Sequence, residues 1–96
     1  MTTREILVKA RVLVERGWVQ GRFSRMKRGK ECFCAVGAIW RSAGKAQACY
    51  RIGALKAVED EIPQELLLSQ WNDAPGRTQA EVLAAFDKAI QAEGGE

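Results

Sequence analysis

Two short motifs at opposite ends of the chain, Thr2-x-x-Glu5 and Thr78-x-x-Glu81, most constrain what it can become. Both have the spacing of a capping box, in which a threonine oxygen takes the N–H three residues on while the glutamate reaches back to the threonine N–H. Each opens onto an apolar stripe of helical period. After Thr2 come Ile6, Ala10 and Leu13, widened by Leu7 and Val14; after Thr78 come Val82, Phe86, Ala89 and Ile90. The spacing predicts a first helix over 3–16, stopped by Gly17 as a left-handed residue, and a last helix closed by Gly94-Gly95 with a flexible tail over 93–96.

The middle of the chain also patterns as helix. Residues 31–43 carry Cys32, Val36, Ile39 and Ala43 in one row and Phe33, Gly37 and Trp40 in the next, as a helix buried on most sides would. A third helix is expected over 46–60 with Ala48, Ile52 and Leu55 inward and Arg51 outward. Pro63 suits the first turn of a short fourth helix with Leu66, Leu67 and Trp71 inward. Pro75-Gly76 is in type II turn order. The expectation is an all-α, compact single domain over 1–96, with about five helices and a long basic loop, 17–30, between the first two. A short hairpin is the alternative for that loop.

Composition narrows the functions. With 47% apolar and 28% charged residues among 96, the chain has the make-up of an ordinary globular domain. No apolar run approaches the roughly 20 residues that span a bilayer, and the first residues lack the pattern of a signal peptide. Three cysteines preclude complete intramolecular pairing, and free thiols suit a reducing compartment, so a cytoplasmic protein without a membrane partner is expected. The chain has no histidine, which removes Ser-His-Asp and Cys-His catalysis. Cys32, Cys34 and Cys49 lack the paired Cys-x2–4-Cys arms of structural zinc sites and are expected to be small buried hydrophobes. A helix N-terminus lowers a thiol pKa at Cys34, but no base accompanies it. No enzymatic activity, metal or cofactor is expected.

Four motifs in combination, Gly17-Trp18-x-Gln20-Gly21, Cys34-Ala35-Val36-Gly37-Ala38-Ile39, Trp71-Asn72-Asp73 and Arg77-Thr78-x-x-Glu81-Val82-Leu83, carry a resemblance. The chain resembles, over about residues 5–91, a family of small uncharacterised domains of bacteria, notably actinobacteria, and of their phages. The resemblance implies that the Gly17–Gly21 turn, the Cys34–Ile39 helix start and the Trp71–Asp73 turn belong to a common fold. It brings no activity with it. From the residues themselves, Trp71 is expected to seal the core, Asn72 or Asp73 to bond turn backbone, and Arg77 to pair with Asp73.

The chain departs from that family where acidic and glycine-rich residues are usual. Arg22, Arg25, Lys27, Arg28 and Lys30 stand there instead, with Phe23 and Met26 between them. Charge is polarised along the whole chain: residues 1–58 have a balance of +10 and residues 59–96 one of −7. The two halves either leave a dipolar surface or neutralise each other on folding. Three roles are open to the loop. It can track a phosphate backbone while Phe23 stacks on a base, dock on an acidic protein with Phe23 and Met26 as anchors, or serve as a solvated, solubilising loop. The favoured expectation is a non-catalytic, macromolecule-binding accessory protein of a phage or mobile element, acting by protein–protein interaction, for example to inhibit a host or defence complex. The alternative is a nucleic-acid-binding module using residues 22–30.

Overall fold

A computed structural model describes residues 1–94. The order of elements is α1 (Thr3–Arg16), β1 (Ser24–Lys27), β2 (Lys30–Phe33), α2 (Ala35–Ala43), α3 (Ala48–Glu59), α4 (Leu68–Asn72) and α5 (Gln79–Glu93). Both capping boxes form as their spacing predicts. Thr2 Oγ1 accepts from Glu5 N–H at 3.2 Å and Thr78 Oγ1 from Glu81 N–H at 3.2 Å, and the glutamates accept from the threonine N–H groups in return. Helices α1 and α5 therefore begin where the sequence places them. They pack together through Ile6, Leu7, Ala10 and Val14 on one and Val82, Ala85, Phe86 and Ala89 on the other. The guanidinium of Arg11 joins the Asp87 carboxylate across this interface, so part of the charge polarity is neutralised by folding. Glu93 closes α5, which shortens the expected tail, and Gly95 and Glu96 lie outside the described residues.

The all-α expectation is overturned. Residues 24–33 form a two-stranded antiparallel sheet, which makes the domain mixed α/β. Its turn is Arg28-Gly29, with φ of +51° and +77°, the positive pair that a two-residue hairpin needs to follow the strand twist. Gly29 takes this conformation freely, whereas Arg28 does so at a cost of about 1 kcal/mol. Residues 31–33, expected in helix, belong to β2, and α2 starts only at Ala35.

Other boundaries shift for local reasons. Gly17 is extended and not left-handed; a Cβ there would lie 2.5 Å from Cys32 Sγ, so close approach of β2 is what glycine permits. Helix α3 buries Ala54, Ala57 and Val58; of the residues expected inward, Leu55 packs against the core while Ala48 and Ile52 are exposed. Pro63 sits in a turn; α4 begins five residues later, where the Glu59 carboxylate accepts the Leu68 N–H at 2.9 Å. Among the described residues no helix is long and apolar enough to cross a membrane.

Backbone hydrogen bonds from Thr2 and Thr78 hold the Glu5 and Glu81 carboxyls below their usual 4.5. The unfolded chain thus takes up these protons at higher pH than the folded one, so their contribution is complete above 4.5 and lost as pH falls through the depressed values. Urea midpoints should decline as pH drops below about 4.5. Replacing both residues, Glu5→Gln and Glu81→Gln, should flatten that decline; an acid limb of unaltered slope in the double variant would refute the assignment.

Candidate interaction surface

The hairpin is anchored at its base by the Trp71-Asn72-Asp73 turn. Asn72 is completely buried, and all four of its side-chain hydrogen-bonding positions are used. Oδ1 accepts from Trp18 Nε1 at 2.8 Å and from the Ala35 N–H at 3.0 Å, while Nδ2 donates to Val19 O at 3.2 Å and Asp73 Oδ1 at 2.9 Å. Asp73 Oδ1 also accepts the Gly21 N–H at 2.9 Å, and Gln20 Nε2 donates to the carbonyls of Asn72 and Ala74. Three segments far apart in sequence thus meet at one amide. Arg77, expected on Asp73, instead donates from Nε to Trp71 O, stacks on the Trp71 ring at 4.2 Å and pairs with Glu81. Asn72 and Asp73 bond the 18–21 segment and α2, where bonding to the local turn was expected.

A second set of contacts fixes the hairpin against α2. Phe33 N–H donates to Gly17 O and Phe33 O accepts from Val19 N–H, so β2 lies between β1 and the 17–19 segment. The Phe23 carbonyl accepts the Cys34 N–H at 3.1 Å, and it passes so close to Gly37 that a Cβ there would stand 2.1 Å from it. Cys34 caps α2, its Sγ accepting the Gly37 N–H at 3.2 Å. Its thiol is pushed up by burial, opposite to the lowering expected at a helix N-terminus. Cys32 is buried on β2 and Cys49 is exposed on α3, against the expectation that all three thiols are buried. Among the described residues no three Cys, Asp or Glu side chains gather to hold a metal ion.

All seven candidate residues of the loop fall on this hairpin and its approach, and strand pairing sorts them. The register Ser24↔Phe33, Arg25↔Cys32, Met26↔Glu31, Lys27↔Lys30 puts Arg25, Lys27 and Lys30 on the Cys32 face and Met26 with Ser24 on the Phe33 face. Arg22 precedes β1, and Arg28 is in the turn. Arg22, Arg25, Lys27, Arg28 and Lys30 are exposed, and among the described residues none pairs with a carboxylate. On the Cys32 face, Lys27, Arg28 and Lys30 join Arg16, Trp18 and Gln79 around a cleft of about 760 Å³.

On the Phe33 face a groove of about 570 Å³ lies between the hairpin and α2, lined by Phe23, Ser24, Phe33, Gly37, Trp40 and Arg41. Buried Phe33 forms its floor. Phe23, just before β1, is 64% exposed and Trp40 48%, and Met26 on β1 is 61% exposed. Arg41 makes a bidentate pair with Glu31 at 2.8 and 2.9 Å, holding that carboxyl below its usual value, and stacks on Phe33 at 5.1 Å. Trp40 was expected to be buried in its helix. Its exposure, and the part played by Phe33, Gly37 and Arg41, have no signal in the local sequence, because residues 31–33 were expected in helix and the hairpin that makes the groove was only the alternative to an open loop.

Two substitutions test this architecture. Asn72→Leu should cost at least about 3 kcal/mol in urea unfolding, because it leaves the Trp18 and Ala35 donors and the Val19 acceptor without partners. Gly37→Ala should cost about 2 kcal/mol by driving Phe23 backbone away from α2. Wild-type stability in either variant would remove the corresponding contact from the account.

No curated protein and no solved structure matches the chain. A family model does, over residues 1–92, nearly the whole described length. The chain belongs to the family of unknown function DUF6197.

Proposed function

We propose that the protein is a non-catalytic binding module that holds another protein against the hairpin and the groove it makes with α2. One observation carries the proposal: Phe23 and Trp40 are exposed in the lining of a single aromatic-floored groove, Met26 is exposed on the adjoining strand, and the same hairpin and its approach carry five cations that pair with no carboxylate among the described residues. Large apolar side chains gathered at a surface mark interaction sites, and aromatic residues with arginine dominate their energetics. The cations give such a site a preference for an acidic partner. Arg28 adds support, since it keeps a strained backbone where Asn or Gly would be at ease. In this role the protein is a cytoplasmic accessory factor of phage or mobile-element origin, and occluding a host or defence complex is one form its binding takes.

A second role rests on the basic cleft, where Arg16, Lys27, Arg28 and Lys30 could meet a phosphate backbone beside Trp18. It ranks lower because Phe23 lines the groove on the α2 side and not this cleft, so the stacking aromatic and the phosphate-binding cations face different ways.

Capture from host lysate, with and without nuclease, separates the two. A defined protein should be recovered equally from both halves. Trp40→Ala should weaken its binding by at least about tenfold, and serine at Arg22, Arg25, Lys27 and Arg28 together should abolish it. Recovery that depends on intact nucleic acid would favour the cleft, and undiminished binding by the four-serine variant would overturn both roles.

A further inference from the structure

The edge of the hairpin along β1 is open. Phe33 commits its N–H and C=O to Gly17 and Val19, away from β1, so its pairing with Ser24 is a non-hydrogen-bonded one. Antiparallel pairs alternate, and Phe23 is bonded to Cys34, so the hydrogen-bonded pairs are Arg25 with Cys32 and Lys27 with Lys30. Ser24 and Met26 accordingly direct their N–H and C=O groups outward, two donors and two acceptors along the side of β1 away from β2. This edge borders the aromatic groove, whose lining includes Ser24.

We infer that β1 receives an extended segment of the partner as a third strand, and that this segment alternates apolar and acidic residues. The inference rests on the protein-binding role proposed above and specifies the chemistry of what binds. Strand addition draws affinity from main-chain bonds and specificity from pockets for alternate side chains. Residues opposite one another in a sheet share a face. Side chains of the added strand on the Ser24 and Met26 face meet the groove of Phe23, Phe33 and Trp40 and are apolar. Those on the other face meet Arg25 and Lys27 and are acidic. The same two cations argue against a second copy of this chain, since pairing two β1 edges would bring like charges together, the arrangement by which natural sheets avoid edge-to-edge association.

The test is selection of displayed random peptides of about ten residues on the full-length protein. Peptides with alternating apolar and acidic residues should emerge, and none should be retained by the four-serine variant. The strongest peptide is then measured against Met26→Ala, which keeps the outward N–H, and Met26→Pro, which deletes it. The internal ladder does not use that N–H, and proline is tolerated where an edge N–H faces solvent. Met26→Pro should weaken binding at least about tenfold more than Met26→Ala. Amide exchange on the wild-type protein gives an answer independent of the variants: saturating peptide should slow the Ser24 and Met26 amides at least about tenfold. Unprotected amides, or full affinity in a folded Met26→Pro variant, overturn strand addition while leaving a groove-bound partner in place. Selection of no alternating peptide overturns the inference at its root, whereas the proposed role itself stands or falls by the lysate capture.

Discussion

The side-chain amide of Asn72 is the contact on which the rest of the structure depends. Helix α2 has no Ser, Thr, Asp or Asn at its start, and a helix beginning in the interior needs partners for its first N–H groups. Asn72 supplies one from 37 residues away, accepting the Ala35 N–H, while Cys34 Sγ takes the Gly37 N–H. The same oxygen fixes the Trp18 ring, and the same amide nitrogen holds the Val19 carbonyl. With 18–19 placed, Gly17 and Val19 bond Phe33, and β2 is set in position. One buried polar group thereby orders a helix start, an aromatic ring and a strand. Its cost of burial is offset because every donor and acceptor it carries is matched.

What this anchoring accomplishes is to hold a short, polar hairpin that could not persist alone. A two-stranded hairpin in water is marginal at best, and this one has only four residues per strand. Docking of the Phe23 backbone on Gly37, burial of Cys32 and Phe33, and the Glu31–Arg41 pair make it part of the domain. Pairing then converts a mixed run of basic and apolar residues into two surfaces. One is cationic, beside the end of α1; the other is aromatic, beside α2. Neither character is visible in the linear order, where Arg25, Met26 and Lys27 simply follow one another. The separation is what the proposed apolar and acidic faces of a partner segment rest on.

Helices α1 and α5 were legible in the sequence because all that defines them is local. Each has its own cap within three residues and its own stripe at helical period, so short-range bonding and burial agree. The cationic run of Arg22, Arg25, Lys27, Arg28 and Lys30 was visible too, as a concentration of charge that no folding requirement explains. The Pro75-Gly76 turn was equally clear, with Gly76 at φ of +81°.

The start of α2, the choice of a hairpin over an open loop, and the groove were decided by tertiary structure. Residues 31–33 read as helix because Cys32 and Phe33 continue the apolar rows of α2, and four-residue strands are too short to establish a period of two against them. The choice between helix and strand was made by distant partners: Gly17 and Val19 bonding Phe33, Asn72 capping Ala35, and Gly37 admitting the Phe23 carbonyl. Local sequence determined the two outer helices and supplied the charge. The surface that charge belongs to arises only when a buried amide joins three segments that the sequence keeps apart.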